Sequence, residues 1–289
     1  MIITVYTLNA FSKTSEGGNP AGVVLEADTL SDNQMQQIAN KVGFSETAFV
    51  SKSEKADFRV RFFTPNSEVD LCGHATIASF FLMVKLALIK EGVYTQETKA
   101  GILHIDVQHN EKIFMRQNNP QFFDELNKEE IANSLNIPIK IVEPDLPVQI
   151  VSTGLRDIMV PIRSLPYLYS IKPNFNKISE ISKRNDVIGY HLFTLSTKFN
   201  STAHCRNFAP LYNIEEESAT GTSNGALSCY LWKHRKVQKL QLHNLVYEQG
   251  YSMGKPSEIL VNLKIEKEKI VEVNVGGTAA NVQRKEIEI

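Results

Sequence analysis

A short pattern that occurs twice constrains the fold of this chain more than any other feature of its sequence. The first copy reads Arg-Phe-Phe-Thr-Pro at residues 61–65, and the second reads Arg-Asn-Phe-Ala-Pro at residues 206–210. Acidic residues, a turn of small residues and an apolar segment typical of a buried helix follow each copy. The recurrence of all these parts indicates a duplication. We therefore expect two similar halves, each a curved sheet around a central helix, with a cleft between them.

The 289 residues are enough for two domains of ordinary size. We place an N-terminal domain at residues 1–117 together with a last strand at 276–289, and a C-terminal domain at 118–275. Helices are predicted at 31–43, 71–90, 127–136, 174–184 and 224–235. Strands are predicted at 2–8, 21–26, 47–51, 58–63, 102–108, 112–116, 148–152, 157–162, 190–196, 202–207, 245–249, 258–263 and 270–275. This mixture predicts an α+β fold.

Charge and composition exclude several classes of partner. With 31 Lys and Arg against 32 Asp and Glu, the net charge of −1 gives no positive field for nucleic acid or for an acidic membrane surface. No segment reaches the roughly 18–20 apolar residues that span a bilayer. Three cysteines are too few for a disulfide framework and are typical of a reducing compartment. We therefore expect a cytoplasmic protein that binds neither nucleic acid nor membranes.

The two turns that precede the buried helices are candidate anion sites. The first turn of a helix carries unpaired backbone N–H groups and a partial positive charge. Gly73 and Gly221 would let a ligand approach the backbone closely. Two such helix starts at one cleft suit a substrate carboxylate. In the alternative interpretation, these glycines simply begin helices.

Two residues near the first turn are candidates for proton transfer. Glu46 lies between the predicted helix end at Gly43 and an apolar strand, where a carboxylate can serve as a general base. It can equally be a solvated strand end. His74 follows Gly73 at a helix start, where a neutral imidazole can polarise a substrate carbonyl. Its alternative role is a structural cap.

An acidic residue precedes each turn. Asp70 and Glu217 each lie two residues before a small residue that we treat as equivalent in the two copies, Cys72 in the first and Ala219 in the second. Either acid can complement its helix N-terminus. One of them can instead relay protons opposite Glu46, because two carboxylates that flank one carbon suit proton abstraction and return.

Other chemistries have weaker signals. Cys72 and His74 are two residues apart in one turn, a spacing that does not predict that the thiol and the ring face each other. The histidines and cysteines show no ligand spacing typical of zinc, so no metal site is predicted. Glycine-rich nucleotide-binding patterns do not occur, and no cofactor is predicted.

Six blocks of sequence form a joint signature that covers most of the chain. The blocks are Gly-Asn-Pro-Ala-Gly-Val at 18–23, Ser-Glu-Thr-Ala-Phe-Val at 45–50, the pattern at 61–65, Glu-Val-Asp-Leu-Cys-Gly-His-Ala-Thr at 68–76, Glu-Ser-Ala-Thr-Gly-Thr at 217–222 and Val-Gly-Gly at 275–277. Together they resemble the PhzF-like phenazine-biosynthesis isomerase family, and they occur in that family's order.

The resemblance implies the diaminopimelate epimerase-like fold, with two pseudo-symmetric domains, each a mostly antiparallel, β-barrel-like sheet wrapped around a central helix. It places the active site in the cleft between them. It also implies cofactor-independent isomerisation of a small carboxylate-bearing substrate by proton shuttling, in a homodimer.

The resemblance also assigns residues. Glu46 matches the family's catalytic acid/base and His74 its active-site histidine, and we add Glu217 as a third catalytic residue. The predicted substrate-binding residues are Asn19, Asp70, Gly73, Gly221 and Thr222. Thr222 stands where the family commonly has serine. Glu217-Ser218 replaces the usual Asp-Pro, which suggests a relative with another substrate.

Two alternatives to this function remain open. Related racemases use one thiol from each half, but Ala219 cannot exchange a proton, so a two-thiol enzyme is disfavoured. A racemase or epimerase assisted by Cys72 and a carboxylate partner stays possible. So does a carboxylate-binding protein that has kept the fold and lost catalysis.

Overall fold

Eighteen strands and six α-helices make up the computed structural model, which describes residues 1–289. The strands are β1 (Ile2–Ala10), β2 (Asn19–Val24), β3 (Thr47–Ser51), β4 (Phe58–Phe63), β5 (Glu68–Val69), β6 (Gly92–Thr98), β7 (Gly101–Gln108), β8 (Lys112–Arg116), β9 (Gln121–Leu126), β10 (Val148–Ser152), β11 (Arg156–Pro161), β12 (Gly189–Thr194), β13 (Ala203–Ala209), β14 (Ile214–Glu217), β15 (Leu245–Gln249), β16 (Ser257–Glu266), β17 (Lys269–Gly277) and β18 (Ala279–Glu288). The helices are α1 (Asp32–Val42), α2 (Gly73–Lys85), α3 (Lys128–Ser134), α4 (Leu165–Ser170), α5 (Phe175–Arg184) and α6 (Gly221–Lys233).

The chain forms two compact units. Residues 1–116 and 276–289 make the first unit, and residues 117–275 make the second. None of the helices has the length and hydrophobicity that crossing a bilayer requires.

In the first unit, the strands pair in the order β18, β1, β2, β3, β4, β6, β7 and β8, with β5 beside β4. Neighbours in this series are antiparallel except at β2–β3 and β4–β6. Helix α2 contacts strands at both ends of the series, β18 and β8, as well as β1, β2 and β3. The sheet therefore curves around this helix.

The second unit repeats that arrangement. Its strands pair in the order β9, β10, β11, β12, β13, β15 and β16, with β14 beside β13. The parallel pairs are β11–β12 and β13–β15, at the same two places in the series as in the first unit. Helix α6 contacts β10, β11 and β16. The duplication predicted from the short sequence pattern is thus confirmed by the pairing of the strands.

The central helices are enclosed by protein, as their apolar composition predicts. Every residue from His74 to Met83 of α2 is buried, and every residue from Ser223 to Leu231 of α6 is buried. A helix with no solvent-facing stripe has to be covered on all sides, which requires a sheet that wraps around it.

The duplicated arginine makes the same contact in both units. Arg61 on β4 holds Glu68 on β5 through two hydrogen bonds, from Nε to Oε1 at 2.7 Å and from Nη2 to Oε2 at 2.9 Å. Arg206 on β13 holds Glu216 on β14 in the same way, at 2.9 and 2.8 Å. These bidentate pairs fix the short strand that leads into each central helix.

Most of the predicted elements are present, and some have different bounds. Ser31 caps α1 as expected, since its side chain accepts from the backbone of Gln34. The helix predicted at 71–90 is shorter, because Leu86 ends it and Ala87 adopts a positive φ of 56°. The helix predicted at 224–235 begins earlier, at Gly221.

The sequence predicts no strand at β6 or β9 and no helix at α4. In β6 the single buried residue is Gln96, and β9 has no buried residue at all. Neither segment shows the alternation of apolar residues from which strands are predicted.

A glycine on β12 should be required for the second sheet. A Cβ at Gly189 would lie 1.9 Å from the backbone oxygen of Phe208 on β13, whereas a Cβ at Gly154 would meet nothing within 4 Å. We expect Gly189→Ala to lower the free energy of unfolding by about 3 kcal/mol because of this overlap, and Gly154→Ala to leave it nearly unchanged. Urea denaturation of both variants measures the difference, and equal stabilities would contradict the observed approach of the two strands.

Candidate active site

Glu46 lies at the entrance to β3 in the first unit. Gly43 ends α1 in a left-handed conformation, with φ of 69°, and the backbone oxygen of Glu46 accepts a hydrogen bond from Gly22 at 3.1 Å. Its side chain is 21% exposed. One carboxylate oxygen, Oε2, is shielded from solvent and has no hydrogen-bond donor in the structure. An oxygen in that state keeps its full capacity to accept a proton.

His74, the second residue of α2, brings its ring to that carboxylate. Its Nε2 atom lies 3.3 Å from Oε2 of Glu46, a contact that lacks the alignment of a hydrogen bond. The side-chain amide nitrogen of Asn19 lies 3.4 Å from Nδ1 on the other side of the ring. Because an amide NH₂ donates, Nδ1 is assigned as the acceptor, and the neutral ring carries its proton on Nε2, towards Glu46. The structure thus brings together Asn19, Glu46 and His74.

Cys72 also faces this ring. Its sulfur lies 3.3 Å from Nδ1 and 3.9 Å from Nε2 of His74. The sequence spacing did not predict this contact. Cys72 is the extended N-cap residue of α2, with φ of −140°, and the backbone turns into the helix at Gly73. The turn directs both side chains to the same side, so the thiol belongs to the cluster.

These residues also form a possible ligand set for a metal. Donor atoms of Glu46, Cys72 and His74 lie within 4.8 Å of one another. A carboxylate, a thiolate and an imidazole are all ligands that zinc accepts. This set has no ligand spacing along the sequence, because Glu46 comes from a different element than the other two residues.

The two central helices begin at the predicted glycines. In α2 the first backbone N–H that bonds within the helix is that of Thr76, to the Cys72 oxygen, so the N–H groups of residues 73–75 have no intrahelical partner. In α6 the corresponding first bond runs from Asn224 to Thr220. Each helix start therefore presents three backbone donors and a positive dipole end, the arrangement that binds anions.

Glu217 lies at the end of β14 in the second unit, half-buried. Its Oε2 atom accepts a hydrogen bond of 2.6 Å from the hydroxyl of Thr220, the N-cap residue of α6. The amide of Gln249 reaches both residues, donating to the Glu217 backbone oxygen at 2.9 Å and to the Thr220 hydroxyl at 3.0 Å. Glu217 is thus tied to the start of its central helix.

The structure corrects our alignment of the two copies. Cys72 and Thr220 are the N-cap residues of two helices that each span 13 residues, so the counterpart of Cys72 is Thr220 and not Ala219. Strand pairing makes Val69 the counterpart of Glu217. Val69 pairs with Phe62 and Glu217 pairs with Asn207, and these two partners each follow the repeated arginine. The equivalence of Asp70 and Glu217 was therefore wrong. Threonine also lacks a thiol, so the argument against a two-thiol enzyme holds on the corrected alignment.

Asp70 and Thr222 complete the predicted residues. Asp70 is exposed, outside the Glu46–His74 contact. Thr222 is half-buried in the first turn of α6, and its backbone oxygen accepts from the hydroxyl of Thr153 at 3.2 Å. Binding of substrate by either residue stays a prediction.

A buried polar network supports the start of α6. Ser223 donates to Asp157 Oδ2 at 2.6 Å, and the Asn207 amide lies 3.3 Å from the Ser223 hydroxyl and 3.2 Å from Nδ1 of His191. Nε2 of His191 lies 3.3 Å from Asn224 Oδ1. Burial raises the pKa of Asp157 to about 7, against the opposing effect of the Ser223 hydrogen bond, and burial lowers the pKa of His191 to about 4.

The residues that hold the second helix start, among them Gln249, Asp157 and Asn224, are not among the predicted site residues. The available signals were indirect. Gln249 ends a predicted strand and is followed by Gly250, which has a positive φ of 80°. Buried amides on separate strands become a network only when strand pairing is known.

Comparison with known proteins finds relatives that match nearly the whole chain. The sequence profile of the family described as "Phenazine biosynthesis-like protein" (PhzC-PhzF) matches residues 8–285. A protein of Clostridium acetobutylicum named an uncharacterized isomerase is 37% identical, and the match covers 98% of this chain and 97% of the relative. A crystal structure of the Bacillus anthracis phenazine biosynthesis protein, PhzF family, is 36% identical, with a TM-score of 0.88 and full coverage of both chains.

A more distant structure shares the fold. A hydroxyproline epimerase from Agrobacterium vitis is 12% identical, with a TM-score of 0.62 over 99% of this chain and 92% of that chain. Together these likenesses confirm the family resemblance, the predicted fold class and the prediction of an isomerase.

The raised pKa of Asp157 predicts a measurable pH dependence of stability. The folded chain keeps this proton up to about pH 7, whereas an unfolded chain releases it near the ordinary value of 3.8, so rising pH favours unfolding between these values. Asp157→Asn keeps the size of the side chain and removes the titration. We expect the wild type to lose up to about 1.4 kcal/mol of unfolding free energy per pH unit, relative to this variant, across that window.

Urea denaturation of the wild type and of Asp157→Asn, each at pH 5 and pH 7.5, gives four free energies of unfolding. Asp145→Asn is the matched control, because Asp145 is exposed in the same unit, and its difference from the wild type should stay constant. A constant difference for Asp157→Asn as well would contradict a buried proton at this site.

Proposed function

The chain belongs to the phenazine biosynthesis-like (PhzC-PhzF) protein family, an isomerase family, and from this premise we propose that it moves a proton within a small carboxylate substrate, with Glu46 as the general acid/base. In this proposal the chain itself supplies every group that moves the proton, and no cofactor takes part.

The contact between Glu46 and His74 carries the proposal. Glu46 has a shielded oxygen without an aligned hydrogen-bond donor, 3.3 Å from the ring nitrogen of His74 to which the proton is assigned. A carboxylate in this position can take a proton from a substrate carbon and return it to a neighbouring one. The ring can stabilise the charge that develops on the substrate oxygen while the proton is on Glu46.

We further propose that the backbone donors at the helix starts bind the substrate carboxylate. Gly73 and Gly221 open these helices, and the donors of their first turns lack partners within the helix. Asn19 would act on His74 rather than on the substrate, since its amide faces Nδ1. Glu217 would serve as the second proton carrier. The location of the active site between the two halves, assembly as a homodimer and a cytoplasmic location stay predictions.

One observation favours a second candidate function. The Cys72 sulfur lies 3.3 Å from His74 Nδ1, and the other ring nitrogen lies against Glu46, so the three side chains form a thiol–imidazole–carboxylate series. Such a series can activate a thiol as the base that removes the proton. In that case the enzyme would be a racemase or epimerase assisted by Cys72.

Replacement of Glu46 should abolish proton transfer. Glu46→Gln keeps the shape and removes the basic oxygen, so we expect turnover to fall about 10²- to 10⁴-fold with an unchanged fold. The assay is uptake of deuterium from D₂O into a panel of amino-acid-like and cyclic carboxylates, followed by mass spectrometry. Glu91→Gln is the matched control, because Glu91 contacts His109 at 3.0 Å on the surface of the same unit.

Wild-type uptake that persists in Glu46→Gln would exclude Glu46 as the acid/base. Absence of uptake from the wild type across the panel would favour the binding protein that has lost catalysis.

Cys72→Ala separates the two candidate mechanisms. If Glu46 is the base, this variant should retain deuterium uptake within about tenfold of the wild type, since the carboxylate that takes the proton remains in place. If the thiol is the base, uptake should fall as far as in Glu46→Gln. Substrate-protected labelling of Cys72 by iodoacetamide provides an independent measurement.

A further inference from the structure

We propose that Gln249 is a positioning residue that fixes the carboxylate of Glu217 and the first turn of α6 in one geometry. The inference rests on the proposed function, in which Glu217 is a proton carrier and the α6 start binds the substrate carboxylate. Gln249 lies 32 residues from Glu217 along the chain, and the sequence pattern did not mark it.

The amide of Gln249 is fully buried, and all of its hydrogen-bonding positions are used. Its nitrogen donates to the Glu217 backbone oxygen at 2.9 Å and to the Thr220 hydroxyl at 3.0 Å. Its oxygen accepts from the Thr220 backbone N–H at 3.2 Å and from the Asn224 side chain at 2.9 Å. An amide has two donors and two acceptor sites, so this group is satisfied in a single orientation.

That orientation determines the direction of the Thr220 hydroxyl. Because Gln249 donates to Oγ1 of Thr220, the hydroxyl proton is left to point elsewhere, and it is donated to Glu217 Oε2 over 2.6 Å. The bond from Gln249 to Thr220 and the bond from Thr220 to Glu217 form a hydrogen-bond relay, in which each bond polarises the next. The amide of Gln249 therefore acts on the Glu217 carboxylate through Thr220, without touching it.

The backbone around Gln249 is held equally closely. Gln249 ends β15, where it pairs with Ser257 on one side and Cys205 on the other. At the next residue, Gly250, a Cβ would lie 2.6 Å from the Ser218 oxygen and 2.2 Å from the Lys255 oxygen. The end of β15 therefore packs closely against the segment that carries Glu217, and the Gln249 amide has little freedom to shift.

The first unit holds its helix start by different contacts. Arg59 and His204 are equivalent, because each lies two residues before the repeated arginine. They pair with Glu97 and Glu248, so the residues that follow these acids, Thr98 and Gln249, are counterparts. The Thr98 hydroxyl donates to Gly101 within its own hairpin. A buried amide of that unit, Gln96, donates to the Thr76 hydroxyl in α2 at 3.2 Å, but its oxygen has no hydrogen-bond partner. The fully bonded amide that reaches a carboxylate through a hydroxyl is therefore particular to the second unit, which points to a role at the start of α6.

The test uses the full-length protein with a buried amide exchanged at two places. Gln249→Met keeps the size of the side chain and removes all four hydrogen bonds. Gln149→Met is the matched control, because the buried Gln149 amide donates to Phe123 and lies beside Lys233 and His234, at the opposite end of α6 from Thr220. Thr220→Val is a second variant that interrupts the relay even if Gln249→Met fails to fold.

The first readout needs no substrate. Carbon-13 NMR of the carboxyl groups follows the titration of Glu217, whose signal is assigned by its loss in Glu217→Gln. Loss of the relay removes a hydrogen bond that stabilises the charged form, so Gln249→Met and Thr220→Val should each raise the titration midpoint by about half a pH unit or more. Gln149→Met should leave it unchanged.

The second readout is deuterium uptake by the carboxylate that the wild type turns over. Gln249→Met should lower kcat about 10- to 100-fold because a reacting group is misplaced, while Gln149→Met should stay near the wild type. An unchanged Glu217 titration in both relay variants overturns the proposal, whatever the activity. A shifted titration in a protein whose wild type exchanges no carboxylate supports the relay and refutes the proposed function instead.

Discussion

The enclosure of α2 and α6 is the constraint from which the rest of this structure follows. Neither helix has a side that faces solvent, so each has to be covered by strands all round, and the sheet of each unit curves to do so. The sides of such a helix are closed to solvent, but its first turn still carries backbone donors without helical partners. The candidate chemistry lies at these first turns, where backbone polarity has to be satisfied by something other than the helix.

The duplicated architecture carries chemistry that is not duplicated. The bidentate arginine pairs, the strand order and the helix starts recur in both units. Glu46 has no acidic counterpart: Thr47 pairs with Phe63 and Tyr190 pairs with the equivalent Phe208, so Gly189 takes the place of Glu46 in the second unit. In the second unit an amide clamp at Gln249 orders the helix start, whereas in the first unit a histidine and a thiol occupy it. The duplicated fold thus provides two similar units that hold different functional groups.

Prediction from the sequence succeeded where the physical cause is local. The cap at Ser31, the apolar helices and the strands at β3, β4 and β8 follow from patterns within a few residues. It failed at β6, where a buried glutamine replaces the apolar residues that reveal a strand. The contact between the side chains of Cys72 and His74 depends on the backbone conformation of the N-cap residue Cys72. The hydrogen bonds of Gln249 depend on strands that pair over long sequence separations. Neither leaves a periodic signal.

The pairing of β1 with β18 has a consequence for the order of folding. These strands align over nearly their full length, from Ile2 opposite Glu288 to Ala10 opposite Ala279, and the Ile289 amide donates to the Met1 oxygen. The first unit therefore combines segments that precede and follow the second unit, and its sheet stays incomplete until β18 has been synthesised. The second unit is continuous in sequence, so it can fold while synthesis proceeds, and the half that carries Glu46 acquires its native frame last.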